Sequence, residues 1–210
     1  MQIKQGAQVY TETGERVGEI SRVVMDPRSK EVTHLVVSKG FLFKEDKVVP
    51  ISLIGTATPE SIRLRPDAGD LETLPDFEEK YYVTASEYEP RAGGYLPTMY
   101  WYPPAGILQT GDYRPGLPAV TQVERNIPEE SVALQEGAKV IAADDKDVGH
   151  VERVMTDVGT DRMTFFVIEK GLLNKEHKLI PSQWISQVND EEVRLAVNAS
   201  LIEQLKAYEV

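Results

Sequence analysis

The sequence predicts a mainly β fold of two small antiparallel barrels, each followed by a short helix and joined by a connector rich in proline and tyrosine. Three observations support this prediction. One stretch of the chain recurs without a gap, its apolar residues are spaced as in short strands, and a proline- and aromatic-rich stretch separates the copies. The repeat begins at Gly6 in the first copy and at Gly137 in the second.

The two copies align at a constant offset, so each position in the first copy has one counterpart in the second. The matches are Gly6 with Gly137, Val17-Gly18 with Val148-Gly149, Asp26 with Asp157, Lys39-Gly40 with Lys170-Gly171, and Pro50 with Pro181. We place the first barrel domain at residues 1–75, the connector at 76–131 and the second barrel domain at 132–210. A domain of about 60 residues buries only roughly 60% of its unfolded surface, so we expect each barrel to gain stability from further packing.

Composition excludes several classes of protein. The chain has no cysteine, so disulfides and thiolate chemistry are excluded. Its formal net charge is -11, and an acidic chain without a basic tail is a poor candidate for nucleic-acid binding, which depends on neutralising phosphates. No apolar run approaches the roughly 18 residues of a membrane span, and the N-terminal residues lack the core of a signal peptide. We therefore expect a soluble, cytoplasmic protein.

Short strands follow one another in the first copy. The predicted strands are residues 7–11, 17–25, 31–38, 47–49 and 61–65. Asp26 begins a turn with proline at its second position, where the fixed φ of proline is suitable. The third strand has apolar residues on both faces, with Val32, His34 and Val36 on one and Thr33, Leu35 and Val37 on the other. Such strands are typical of a small closed barrel.

An amphipathic helix is predicted after each sheet. Residues 199–208 place four apolar side chains on one stripe, namely Leu201, Ile202, Leu205 and Tyr208. The counterpart of this segment in the first copy is Leu71 to Leu74. Helices this short are marginal in water by themselves, so we expect both to pack on their barrels.

The shared residues resemble the PRC-barrel family. They run Gly-Ala-x-Val, then Val-Gly, a turn that begins with Asp, a Thr-x-x-Val strand, Lys-Gly and a closing proline. The family is named after the cytoplasmic domain of the photosynthetic reaction-centre H subunit and includes the C-terminal domain of the ribosome maturation factor RimM. The resemblance covers both copies and implies two β-barrels. Free-standing members are similar in being small interaction modules, so the resemblance transfers no catalytic residues.

The connector holds a cluster of aromatic residues, Tyr100, Trp101 and Tyr102, followed directly by two prolines. Disordered linkers are poor in aromatic residues. We therefore predict that parts of the connector lie against the barrels in extended form, with polyproline II segments at the prolines. The alternative is a free tether.

No motif in the sequence predicts catalysis, a cofactor or a metal. The chain lacks the nucleophile elbow, the P-loop and the dinucleotide-binding fingerprint, so we expect no enzymatic activity. The three histidines do not have the spacing of a zinc signature and are interpreted as structural; they are His34, His150 and His177. The acidic stretch 144–147 lacks the glycine and the distant glutamate of an EF-hand loop, and is interpreted as a hairpin turn.

The loop after the long strand is the candidate partner-binding site. In both copies it places apolar residues between lysines, and such a composition can form a protein-contact patch. The candidate residues are Lys39, Phe41, Phe43, Lys44 and Lys47 in the first copy, and Lys170, Leu172, Lys175 and Lys178 in the second. We expect Phe43 to be exposed. In the alternative interpretation, Leu42 and Leu173 close the barrel mouths and the lysines are merely solvated.

These observations favour a non-catalytic module that binds or scaffolds another protein, whose identity the sequence does not give. A homo-oligomer is compatible with this expectation. Two alternatives stay open. One is an RNA- or ribosome-associated factor by analogy with RimM. The other is a carrier of a small molecule, held in an apolar groove between the barrels near Trp101 and Trp184.

Overall fold

The structure, a computed structural model, describes residues 1–40, 45–83, 120–135, 137–157, 159–171 and 175–209. The chain divides into two compact units. One unit consists of Met1–Phe77 and Arg125–Val210, and therefore contains both copies of the repeat. The other is Glu78–Glu124. Within the described ranges, no helix has the length and the apolar character needed to cross a membrane.

Five strands of the first copy lie within one or two residues of their predicted ends, whereas a short N-terminal strand and the strand Ile54–Ala57 were not predicted. They are β1 (Gln2–Lys4), β2 (Gln8–Tyr10), β3 (Arg16–Met25), β4 (Val32–Lys39), β5 (Glu45–Pro50), β6 (Ile54–Ala57) and β7 (Ser61–Leu64). Two further strands, β8 (Glu78–Val83) and β9 (Val120–Arg125), pair with each other inside the stretch predicted as connector.

The second copy repeats this pattern of strands and ends in a short helix. Its elements are β10 (Val132–Gln135), β11 (Lys139–Ile141), β12 (Asp147–Thr156), β13 (Met163–Lys170), β14 (Glu176–Pro181), β15 (Ile185–Val188), β16 (Glu192–Leu195) and α1 (Ala199–Glu203).

Each copy forms a strongly curled sheet in which its own six strands have the same order, and a seventh strand is added from the other copy. The order is β5-β4-β3-β2-β7-β6 in the first sheet and β14-β13-β12-β11-β16-β15 in the second. The pairs β2/β7 and β11/β16 are parallel, and the other pairs are antiparallel. Register shifts occur at corresponding points of β3 and β12, where bulges increase the bend of the sheet. The predicted fold class, mainly β with two small barrels, is therefore confirmed.

The two copies exchange their first strands. β1, which precedes the first repeat, pairs with β12 of the second copy, and β10, which precedes the second repeat, pairs with β3 of the first. The registers correspond, because Ile3 lies opposite Val154 and Leu134 lies opposite Val23. Gly6, with φ of 79°, turns the chain from β1 into β2 and so from one barrel into the other. Each barrel is thus completed by a strand from the other copy.

The hairpins β3–β4 and β12–β13 also meet across the junction. The N–H of Val32 donates to the carbonyl of Asp161 at 3.0 Å, and the N–H of Met163 donates to the carbonyl of Lys30 at 2.8 Å. Glu31 forms an antiparallel bridge with Arg162. Val32 and Met163 are counterparts in the two copies, as are Lys30 and Asp161, so the same contact is made in both directions. The barrels are therefore related by a pseudo-twofold axis.

A single large hydrophobic core spans both barrels. Ile3 and Leu134, from the exchanged strands, are 0% and 2% exposed and belong to the same cluster as Val23 and Val154. Full burial of one such side chain stabilises a fold by roughly 1.5–3 kcal/mol. Strand exchange therefore supplies the further packing that barrels of this size need.

One detail of the predicted third strand is wrong. Val32 joins the shared core together with Leu35, whereas Val36 packs in a second cluster on the other side of the sheet. The pairing of β4 with β3 includes Val32 and His34 but skips Thr33. A bulge of one residue moves the residues beyond it to the opposite face, and the sequence pattern does not reveal where it occurs.

The helix of the second copy is shorter than predicted, and its apolar stripe is narrower. It ends at Glu203, whereas the sequence predicted residues 199–208. Ile202 is buried, but Leu201, which was predicted to lie on the stripe, is 42% exposed. In the first copy the corresponding segment is a single 3-10 turn, Leu71–Thr73. Pro75 restricts the residue before it to extended backbone, so the helix cannot continue.

The helix ends early because the chain turns back to the barrel. Lys178 Nζ donates a hydrogen bond to the carbonyl of Leu205 at 2.6 Å. The N–H of Tyr208 donates to the carbonyl of His177 at 2.8 Å. These bonds fix the C-terminal segment along β14 and leave no room for another helical turn.

We predict that a cavity at the exchanged strand weakens the whole unit. Leu134→Ala should lower the free energy of unfolding by about 2–5 kcal/mol, the usual cost of such a cavity. Leu201→Ala, at an exposed site, should cost about 0.5 kcal/mol or less. Urea unfolding measures both values, and equal values for the two variants would contradict the burial of β10.

Asp26 stabilises the turn that brings the first hairpin to the junction. Its Oδ1 accepts hydrogen bonds from the N–H groups of Arg28 and Ser29 at 2.7 and 2.8 Å. The N–H of Ser29, followed by that of Arg28, lowers the pKa of Asp26 from its ordinary 3.8. The ionised carboxylate therefore stabilises the fold at neutral pH.

This lowered pKa predicts a pH dependence. Asp26→Asn keeps the acceptor oxygen but removes the charge, so wild type should be more stable than the variant above the unfolded pKa. The difference should disappear as the pH falls through the folded pKa of Asp26, because wild type then becomes neutral. Urea unfolding across acidic pH measures this difference, with Asp67→Asn, on an exposed turn, as the control. A difference that does not change with pH would contradict the prediction.

Candidate functional site

Several predicted site residues lie outside the described part of the chain. They are the loop residues Phe41, Phe43, Lys44 and Leu172, and the connector residues Tyr100, Trp101 and Tyr102. Their roles stay predictions. The other lysines of the two loops are described, and they fall into an exposed set and a buried set.

Lys39, Lys170 and Lys175 form the exposed set. Lys39 Nζ forms an ion pair with Glu72, and this hydrogen bond raises the pKa of Lys39. Lys175 Nζ lies 2.9 Å from Glu169 Oε1, with 58% of the lysine side chain exposed. Lys170 is exposed at the end of β13. These lysines remain accessible to a partner.

Lys47 and Lys178 are counterparts and are largely buried, with side chains 11% and 12% exposed. Lys47 Nζ lies 2.8 Å from Asp76 Oδ1 and donates to the carbonyl of Glu72 at 3.2 Å. Lys178 donates to the carbonyl of Leu205, as described above. Each lysine therefore attaches the segment after its sheet to the barrel, which is a structural role.

The loops begin beside a close backbone contact. A Cβ added at Gly18 would lie 2.6 Å from the carbonyl oxygen of Ser38, and one at Gly149 would lie 2.5 Å from that of Glu169. Only glycine fits at these two positions. An open cavity of about 470 Å³ lies beside Gly18, and Lys39 contributes to its wall.

The outer face of the first barrel, on the side of its sheet away from the shared core, is covered. Phe77 is 2% exposed and packs with Val24, Val36 and Val48. Ala133 of the exchanged strand belongs to the same cluster, and Ile127 packs against it. The guanidinium groups of Arg22 and Arg125 lie 5.3 and 5.4 Å from the centroid of the Phe77 ring, within range of cation–π attraction.

The corresponding face of the second barrel is more exposed near the start of β13, although Val167 in the middle of the strand is 0% exposed. Phe165, the counterpart of His34, is 40% exposed. It lies opposite Met155 on β12 and opposite Pro181 on β14. Leu179 precedes Pro181 by two positions and so lies on the same face of β14. Met155 and Leu179 are half-buried. We call these three residues the Phe165 face.

A cluster of charged residues lies on the same side of β13 and β14. His177 Nε2 is 3.3 Å from Glu169 Oε2 and 3.4 Å from Glu152 Oε2. One potential ligand atom from each of the three residues lies within 4.8 Å of the other two. Glu169 and His177 face each other across β13 and β14, whereas Glu152 is skipped in the pairing of β12 with β13. The bulge at Glu152 turns its carboxylate towards the other two residues.

Two lysines hold the remaining oxygens of the glutamates. Lys4 Nζ, on the exchanged strand β1, lies 2.8 Å from Glu152 Oε1. Lys175 Nζ binds Glu169 Oε1, and this hydrogen bond is the main reason that the pKa of Glu169 is lowered. The Glu152 side chain is 11% exposed, and its buried Oε2 accepts no hydrogen bond from the described residues. Both Oε2 atoms are therefore left facing His177.

A family model described as PRC-barrel domain matches the chain in two segments, residues 5–71 and 130–201. The chain belongs to the PRC-barrel family. The two matches correspond to the two sheets, so the tandem arrangement predicted from the repeat is confirmed. No curated protein matches the chain in sequence.

Comparison of the two PRC barrels shows what the sequence interpretation missed. His177 was interpreted as structural, yet it lies beside two glutamates that the sequence places on other strands. The counterparts of Glu152, Glu169 and His177 in the first barrel are Ser21, Ser38 and Asp46. At all three positions the chemical type of the residue differs between the copies, although the residues on either side are alike. This joint difference was the signal in the sequence that could have revealed the cluster.

The other two histidines of the PRC barrels have separate environments. His34 lies on β4, where burial lowers its pKa. His150 is exposed, and its Nδ1 lies 3.0 Å from the carbonyl oxygen of Gly137. Neither belongs to a group of metal-ligating atoms among the described residues.

The acidic stretch 144–147 forms a turn between β11 and β12, as predicted. Asp144 Oδ1 accepts a hydrogen bond from the N–H of Ala199 at 2.9 Å, at the start of α1. This hydrogen bond is the main cause of the lowered pKa of Asp144. The carboxylate therefore attaches α1 to the second PRC barrel.

The contrast between the two lysine sets can be tested through stability. Lys47→Met should lower the free energy of unfolding by about 1–3 kcal/mol, because it removes the largely buried ammonium group that bonds to Asp76 and to the carbonyl of Glu72. Lys39→Met removes a more exposed ion pair and should cost about 1 kcal/mol or less. Urea unfolding of both variants measures this contrast. If Lys39→Met were the more destabilising change, Lys47 would not have the structural role assigned to it.

Proposed function

We propose that this tandem PRC-barrel protein is a non-catalytic module that binds another protein. The observation that carries the proposal is the difference between the outer faces of the two barrels. In the first barrel, Phe77 covers the apolar side chains of this face. In the second, Phe165 is 40% exposed on the corresponding face. The two equivalent surfaces thus differ in exposure, and the second leaves an aromatic side chain accessible.

The chemistry of the Phe165 face suits a protein partner. Aromatic side chains are enriched at the centres of interfaces, where they bury a large area at a low cost in conformational entropy. Lys175, Glu169 and His177 provide a charged border on the same barrel. Charged borders steer association and favour the correct partner, whereas the apolar centre supplies most of the affinity.

The proposal includes a cytoplasmic location and the absence of catalysis. A chain without cysteine suits a reducing compartment but does not require one. The sequence contains none of the nucleophile or phosphate-binding motifs that would suggest a reaction. The loop lysines Lys39, Lys170 and Lys175 are proposed as secondary contacts.

The two alternative functions have less support. RNA binding would require a basic surface, and the net charge of -11 opposes it. A small-molecule carrier would require a groove between the barrels near Trp184. Trp184 is instead half-buried and packs against the core that the two barrels share.

Site-specific photo-crosslinking tests the proposed interface. A photoreactive phenylalanine analogue at position 165 of the full chain, expressed in its native cells, should form a discrete adduct with one protein. The same analogue at Gln183, an exposed position on the same barrel, is the matched control and should not form it. Unlabelled wild type should compete for the adduct, and Phe165→Ser should compete poorly while unfolding at the same urea concentration as wild type.

Three results would contradict the proposal. The first is a failure to obtain any adduct specific to position 165. The second is equal competition by wild type and Phe165→Ser. The third is an adduct that ribonuclease removes, which would favour the RNA alternative. An adduct with twice the mass of the chain would identify the partner as a second copy.

A further inference from the structure

We propose that Glu152, Glu169 and His177 bind a divalent transition metal, and that Zn²⁺ is the ion their geometry fits. The three residues offer one imidazole nitrogen and two carboxylate oxygens. Zinc accepts both kinds of ligand, and three protein ligands with one open position are typical of zinc sites that bind a further molecule. This inference does not depend on the proposed function: Glu169 and His177 also belong to the proposed charged border, but the ligand here is an ion and its test does not involve Phe165.

The distances between the ligand atoms match a zinc site. Zn–N and Zn–O bonds of about 2.0–2.1 Å at tetrahedral angles place neighbouring ligand atoms about 3.3–3.4 Å apart. The separations from His177 Nε2 are 3.3 Å to Glu169 Oε2 and 3.4 Å to Glu152 Oε2. Two edges of the coordination tetrahedron are therefore already present. Rotation of the carboxylates would set the third.

The surroundings of the ligands orient them towards one point. Lys4 binds Oε1 of Glu152, and Lys175 binds Oε1 of Glu169, so both Oε2 atoms are left for a shared ion. Hydrogen bonds to the outer oxygens of ligating carboxylates are a common supporting feature of metal sites. The backbone of His177 is fixed as well, because its carbonyl accepts the N–H of Tyr208.

A buried oxygen points into the same space. Glu152 Oε2 is buried, and no described residue donates a hydrogen bond to it. A buried acceptor without a donor costs about 1–3 kcal/mol, and more when it is charged. A metal ion bound between Glu152, Glu169 and His177 would supply the missing partner.

The first barrel provides an internal comparison. Its residues at these positions are Ser21, Ser38 and Asp46, and Ser38 Oγ donates a hydrogen bond directly to Asp46. Ser21 Oγ donates to the carbonyl of Val36 at 3.2 Å. The first barrel satisfies its polar groups without an ion, whereas the second has a metal-ligating residue at each of the three positions.

The experiment measures Zn²⁺ bound to the untagged full chain. The protein is freed of metal with a chelator and dialysed to equilibrium against increasing ZnCl₂, and bound zinc is determined by mass spectrometry of the element. Wild type should bind one Zn²⁺ per chain, with a plateau. Glu169→Gln and His177→Gln should each weaken binding by at least about 10-fold, because even the loss of a supporting residue usually costs 10–100-fold.

Two control variants should keep the site. His150→Gln removes an exposed histidine of the same barrel, and Asp46→Asn changes the counterpart of His177 in the other barrel. Both should retain one Zn²⁺ per chain with unchanged affinity. Urea unfolding without metal shows whether each variant is folded. A second measurement needs no variant: the melting temperature of wild type should rise with Zn²⁺ concentration, as expected for a ligand of the native state.

Several outcomes would overturn the proposal. One is wild type that binds no Zn²⁺ or binds it without a plateau. Another is a folded Glu169→Gln or His177→Gln variant with wild-type affinity. Displacement of Zn²⁺ by an equal concentration of Ca²⁺ would indicate a general acidic patch instead. None of these results bears on the crosslink at Phe165, so the two proposals can fail separately.

Discussion

The structure depends on the pairing of β1 with β12 and of β10 with β3. Each long strand, β3 or β12, pairs with β2 or β11 along its first half and with the exchanged strand along its second half. Without the exchanged strand, backbone N–H and C=O groups next to the core would lack partners, at a high cost in free energy. Exchange supplies these hydrogen bonds and also buries Ile3 and Leu134. Two barrels near the lower size limit thereby share one core.

The shared scaffold allows the two copies to differ on their outer faces. In the first barrel Phe77 completes a small apolar cluster, and Ser38 and Asp46 satisfy each other. In the second, Phe165 is exposed, and the counterparts of those polar residues are Glu169 and His177. Because the strands and the core are retained in both copies, these differences concern what each surface can bind rather than how it folds. The exchanged strand takes part here too, since it carries Lys4 to Glu152.

The sequence predicted the features that local patterns encode. Alternating apolar residues located most of the strands, and Asp26 with the proline after it marked the turn that follows β3. The strand exchange could not be predicted, because the pattern of a three-residue strand does not specify which sheet it joins. The spacing of the residues did not reveal the charged cluster either, since it depends on a bulge at Glu152 that brings together residues from three strands; the sequence signal was the joint change of all three positions between the copies. The helix was predicted too long because its end is set by bonds from β14, outside the helix itself.

Hydrogen exchange of the full chain tests most directly whether the two barrels are one cooperative unit. The measurement compares wild type with Ile180→Ala, which places a cavity in the second barrel at a site 0% exposed. If strand exchange joins the barrels, the slowest amides of β3 and β4 in the first barrel should exchange faster by the same factor as those of β12 and β13. Unchanged protection in the first barrel, with faster exchange confined to the second, would show that the copies unfold independently and would contradict the account.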